Sequence, residues 1–129
     1  MNGDVVARAR ACVGARFRLQ GRRAAEGLDC VGLAGAAFAI GGLPRDYPLR
    51  GNATARVRTL AEAAGLRAIN PDEAAAGDLL MVEAGPEQLH LLVLTDGGFV
   101  HADAGLRRVV ETPGRPSWPV LAAWRNRGS

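Results

Sequence analysis

The chain is short of the residues that staple, anchor or metallate small proteins. Two cysteines in 129 residues leave no disulfide framework to hold it. Lysine is absent: all 16 basic residues are arginines, spread along the chain. Aromatics make up only 5% and do not cluster with the arginines, which argues against nucleic acid as a partner. No run approaches the ~18 uncharged apolar residues of a membrane span. No basic segment followed by an apolar run opens the chain, so no signal peptide is expected and synthesis is expected in the cytoplasm. Two histidines without short-spaced companion ligands exclude a zinc site, and no cofactor is expected. What is present is ordinary for one globular domain: 48% hydrophobic and 22% charged residues. The net charge of +3 and isoelectric point near 9.6 favour an anionic partner.

The apolar pattern divides the chain into a helical half, about 4–65, and a strand half, about 66–125. Asp4 is placed to cap a first helix over about Val5–Gly14, with Val5, Val6, Ala9, Cys12 and Val13 on its buried stripe. An irregular basic stretch from Ala15 to Arg23 follows. A second helix begins at Cys30 and is expected to stop at Gly41-Gly42. After the proline-punctuated Leu43–Pro48, a third helix opens at Asn52 or Thr54 and closes at Gly65. The period then changes to two. Strands are expected at about Leu66–Ile69, Leu79–Glu83, Leu89–Thr95, Phe99–Asp103, Leu106–Thr112 and Val120–Arg125, with glycine- and proline-rich turns between them. Helices first and a meander afterwards predict an α+β fold with a mostly antiparallel sheet of five to six strands.

Chemistry concentrates at Asp29-Cys30-Val31-Gly32. Asp29 is a good N-cap, because its carboxylate accepts from a free N–H of the first turn. Cys30 then begins the helix, where the partial positive charge favours a thiolate and free N–H groups face a developing oxyanion. Gly32 leaves room for a substrate backbone to approach. The bland alternative is a small hydrophobe opening a buried helix. Both histidines, His90 and His101, lie in adjacent strands around Asp96-Gly97-Gly98. A two-residue turn at Asp96-Gly97 would pair Thr95 with Gly98 and put His101 opposite Leu92, diagonal to His90 on one face, whereas a three-residue loop without a bulge would put the two imidazoles on opposite faces. A nucleophilic cysteine, a histidine base and a polar residue orienting that base make a hydrolytic triad. Trp118, Trp124 and Tyr47 are candidates to line a binding groove, although the two tryptophans read first as core packing near the last strand.

These residues, in this order, resemble the NlpC/p60 superfamily of cysteine peptidases, and among them the compact phage and gene-transfer-agent type. The features are Asp-Cys-x-Gly-Leu opening a helix, Gly77-Asp78-Leu79, the strand carrying His90, and Phe99-Val100-His101-Ala102. The resemblance spans about Val5–Arg125 and implies a papain-like fold that cleaves peptidoglycan stem peptides. It implies Cys30 as nucleophile, His90 as general base and acid, and His101 as the third member. Asp29 takes the place of the aspartate that binds the substrate's free amino group. Two positions depart from the family pattern. Phe17 replaces a tyrosine that lines the oxyanion side, and Val31 replaces a frequent serine.

The expected activity is hydrolysis of a stem-peptide amide, the γ-D-glutamyl–diaminopimelate bond, through an acyl-enzyme. The expected partners are the stem peptide and phage-tail-like proteins, with carriage to the wall in a phage-like particle. Two alternatives stand beside it: a structural or adaptor protein with little turnover, and a thiol amidase or acyltransferase on another amide.

Overall fold

The computed structural model describes residues 2–44 and 53–127. Helix α1 spans Asn2–Ala11, two residues ahead of the expected Asp4 cap, and ends three residues before Gly14. Asp4 instead lies inside the first turn, where its charge still complements the helix dipole. The early end follows from a tertiary bond: the Gly14 N–H donates to the Val109 carbonyl at 2.9 Å. Gly14, at φ 93°, makes this bend without a side-chain penalty.

The basic stretch is not merely irregular. It contains a two-stranded hairpin of β1 (Arg22–Arg23) and β2 (Gly27–Leu28), too short to announce itself by periodicity. Helix α2 covers Cys30–Phe38 and stops before Gly41-Gly42. Its left-handed closing residue is Ala39, at φ 56° and ψ 46°. The Ile40 N–H returns to the Gly35 carbonyl, and the Ile40 side chain packs on the core. Docking of Ile40 therefore ends the helix, against the small cost of a non-glycine residue in that conformation. Helix α3 spans Ala53–Ala63, with Val57 and Ala61 buried. The expected Asn52 start and most of the proline loop, Tyr47 included, lie outside the described residues.

Strands β3 (Leu66–Ile69), β4 (Leu79–Gly85), β5 (Gln88–Thr95), β6 (Gly98–Asp103), β7 (Arg108–Pro113) and β8 (Val120–Asn126) follow. They form one antiparallel sheet in the order β3-β8-β4-β5-β6-β7. This is the α+β arrangement with a mostly antiparallel sheet that the pattern predicts. One face, with Met81, Leu91, Val93, Val100 and Trp124, packs on the three helices. The other face carries Leu80, Val82, Leu92, Leu94 and Phe99, partly covered by Trp118.

The β5–β6 ladder matters most for the site. Thr95 pairs with Gly98 across Asp96-Gly97, as the turn chemistry dictates, and Gly97 supplies the positive φ of 84°. Pairing then runs only to Val93–Val100. It ends one step short of the anticipated Leu92–His101 pair. Beyond that point β5 stays with β4 and β6 with β7, so the hairpin opens into a cleft.

One buried ion pair ties the sheet's far edge. Asp78 is fully buried and accepts from Arg125 Nε at 2.9 Å, from Arg125 Nη2 at 2.8 Å and from the Ala75 N–H. Arg125→Met would strand that carboxylate, and the expected loss is about 3–5 kcal/mol in urea unfolding. The double variant Asp78→Asn with Arg125→Met is expected to regain most of it.

Candidate active site

Asp29 sets the position of Cys30. Its extended backbone (φ −97°, ψ −172°) is that of an N-cap, and α2 begins at the next residue. Oδ1 accepts from the Gly32 N–H at 2.8 Å and from Arg22 Nη1 at 2.7 Å, while Oδ2 accepts from the Gln20 N–H at 2.9 Å. Arg22 in turn donates through Nη1 to the Gly21 carbonyl at 2.9 Å and through Nε to that of Pro44 at 3.2 Å. The carboxylate is thus engaged with the chain itself on both oxygens.

Gly32 has a packing task that its position in the sequence does not announce. A Cβ there would overlap the Gly21 carbonyl and press on Leu28 at 3.1 Å. The space beside Gly32 is filled by the chain's own backbone, so close packing on Gly21 accounts for the glycine. The sequence could not place Gly21 against it, since the contact depends on a hairpin with no periodic signal.

Cys30, His90 and His101 line one groove of about 870 Å³, together with Phe17, Gln20, Asp29, Val31, Gln88, Asp103 and Trp118. The groove lies where β5 and β6 separate. His90 and His101 share the sheet face opposite the helices, and His90 Nε2 lies 3.3 Å from His101 Nδ1. Cys30 approaches from the helix side and is partly buried. Among the described residues its thiol makes no hydrogen bond to either ring.

Trp118 packs edge-on against both imidazoles, with ring centroids 5.8 Å away in each case. It is part of the groove wall rather than the core, unlike the fully buried Trp124. His101 Nε2 meets Thr112 Oγ1 on β7 at 3.2 Å. Arg22 and Thr112 were missed in the sequence. Nothing local marks Arg22. Thr112 was within reach, because the β6–β7 register puts it diagonal to His101.

The electrostatics oppose the thiolate expected at a helix N-terminus. Burial pushes the Cys30 thiol up to about 12, and the Asp29 carboxylate adds to the rise. The Leu91 N–H and the Arg22 guanidinium pull the other way and are outweighed. Burial, with the neighbouring His101 adding to it and Asp103 resisting, lowers His90 to about 4. His101 is lowered for the same first reason. In the free protein the pair is therefore a neutral thiol beside neutral imidazoles.

Two outcomes are expected. The unfolded chain takes up a proton at His90 near pH 6.5, while the folded chain resists until about pH 4. The stability this contributes is complete above pH 6.5 and is lost as pH falls towards 4, up to about 3 kcal/mol. Urea midpoints measured over that window should show the fall, and His90→Phe should flatten it. Iodoacetamide should label Cys30 slowly from pH 6 to 8 and speed up only above about pH 10; rapid labelling at pH 6 would contradict the buried thiol.

The sequence matches no protein-family model and no curated protein, so the likeness to known proteins is one of structure. NlpC1 from Trichomonas vaginalis superposes with a TM-score of 0.70 at 19% identity, over 97% of this chain and 43% of that one. The P60 domain of an antigen from M. avium subspecies paratuberculosis gives 0.60 at 25% identity, over 97% and 93%. The peptidoglycan hydrolase RipB from Mycobacterium tuberculosis gives 0.59 at 26% identity, over 97% and 63%. The chain spans under half the length of the Trichomonas NlpC1 and NlpC2 structures. Its helices and six-stranded sheet have the fold of the NlpC/p60 domains.

Proposed function

We propose that the protein is a cysteine hydrolase of peptidoglycan stem peptides, acting on the γ-D-glutamyl–diaminopimelate amide. The single observation that carries this reading is the convergence of Cys30, at the start of α2, with the His90–His101 pair on one open groove. The structural likeness to a peptidoglycan hydrolase supports the substrate class.

In this chemistry His90 Nδ1 takes the thiol proton as the sulfur attacks the amide carbonyl. The oxyanion lies at the N-terminus of α2, facing the Cys30 N–H. Collapse breaks the C–N bond, and His90 returns the proton to the departing amine. Water, deprotonated by His90, then releases the acyl group from sulfur. A thiol near 12 and an imidazole near 4 do not form a standing ion pair. The proton therefore moves with the attack rather than before it, and exclusion of water strengthens each charge as it forms.

The same values, with Phe17 in place of a hydroxyl donor, favour a second reading: an adaptor that keeps the fold with little turnover. Purified sacculi separate the two. Wild-type protein is expected to release diaminopimelate-containing fragments, and Cys30→Ala and His90→Ala are expected to reduce release by at least 100-fold. Undiminished release by Cys30→Ala overturns the hydrolase, and no release by the wild type favours the adaptor.

A further inference from the structure

We infer that Thr112 is a positioning residue that keeps the productive direction of the histidine relay open. The inference rests on the hydrolase reading for its consequence, though not for its geometry. Three groups stand in line across β5, β6 and β7: His90 Nε2 is 3.3 Å from His101 Nδ1, and His101 Nε2 is 3.2 Å from Thr112 Oγ1.

A neutral imidazole has one N–H and one lone pair, so each contact along the line fixes the next. For His90 to accept a proton at Nδ1 it must carry its own hydrogen on Nε2. That hydrogen needs the lone pair of His101 Nδ1. His101 must then be protonated on Nε2, and this N–H needs an acceptor. His101 is only 5% exposed, which leaves Thr112 Oγ1 in the acceptor's place. A hydroxyl offers a lone pair whichever way its own hydrogen turns.

The opposite polarity is equally continuous but unproductive. His101 would donate from Nδ1 to His90 Nε2, and the hydrogen of His90 would move to Nδ1, where the thiol proton has to arrive. With the hydroxyl present both polarities end satisfied, since Thr112 Oγ1 accepts from an N–H or donates to a lone pair. What separates them is the end of the chain once the hydroxyl is gone. A buried N–H without a partner costs more than a bare lone pair, and buried donors go unpaired less often than acceptors. Without the hydroxyl, the productive polarity ends on an orphan donor and the reversed one on an orphan acceptor. Thr112→Val should therefore turn the relay round.

Strand geometry holds the hydroxyl in place. Thr112 pairs with Phe99 and His101 with Val110, so the two side chains are diagonal neighbours on one face. The Phe99 ring, 4.9 Å from the His101 ring, and Trp118 hold that imidazole on its other sides.

The test reads the tautomers directly. NMR of the histidine ring nitrogens in the wild type should show His101 and His90 both protonated on Nε2. Thr112→Val should move His101 to the Nδ1–H form, and Thr112→Ser should restore the wild-type spectrum. With a soluble stem-peptide substrate, Thr112→Val should lower kcat about tenfold with KM unchanged, since rate follows the fraction in the competent state. Thr112→Ser should recover it. A wild-type His101 protonated on Nδ1, or ring signals unmoved by Thr112→Val, overturns the inference. The spectra do not depend on turnover, so an inactive wild type would sink the hydrolase reading while leaving the tautomer result to stand or fall alone.

Discussion

Everything at the groove depends on how the Asp29 carboxylate is held. It starts α2 by accepting the Gly32 N–H, and an N-cap of this kind is worth about 1 kcal/mol. The further bonds from Arg22 and Gln20 do more than stabilise a helix end, because they tie two loop segments to the residue before Cys30. Three glycines make the arrangement possible. A Cβ on Gly21 would strike the Gly27 carbonyl, one on Gly27 would press on Arg18 at 2.6 Å, and one on Gly32 would strike Gly21. Loop, hairpin and helix thus pack backbone on backbone, and the sulfur inherits its position from that stack.

This network bears on recognition as well as on folding. A carboxylate free to meet a substrate ammonium would need a lone pair facing the groove. Here both oxygens already accept from the chain, with one Oδ2 lone pair left over, and the Arg22 guanidinium 2.7 Å from Oδ1 offsets part of the charge. Asp103 is the other acid lining the groove. Its Oδ1 accepts the Gly105 and Leu106 N–H groups, and its field raises both histidines against their burial. Negative potential in the groove thus has two sources, one clamped beside the sulfur and one beside the imidazoles.

Much of this was legible in the sequence wherever a local rule decided the outcome. The Asp29 cap, the start of α2 at Cys30, the Asp96-Gly97 turn and the shared face of His90 and His101 each follow from a few adjacent residues. The change from helical period to alternation at Gly65 falls between α3 and β3. What could not be read was set by distant contacts. Ala39 ends α2 because Ile40 docks on the core, and Gly32 is small because Gly21 lies against it. The charge state of Cys30 failed for the same reason. The helix terminus is a local effect of roughly 0.3–1 kcal/mol, whereas burial against the sheet depends on the whole fold and exceeds it.

The opening of the β5–β6 hairpin reconciles two facts that otherwise conflict. The histidines sit on the sheet face away from the helices, and the cysteine heads a helix packed on the opposite face. In a continuous ladder the sheet itself would stand between them. Because pairing stops at Val93–Val100, β5 has no β6 partner alongside Leu91, and Cys30 lines the same groove as His90 there. The split in the sheet is therefore the passage through which thiol and imidazole share one groove. It also explains why both are poorly solvated: each enters the cleft from a packed face, the thiol from the helix core and the rings from beneath Trp118. A ligand entering the cleft would complete the enclosure around groups already stripped of water, where a proton passed between them changes the local field most.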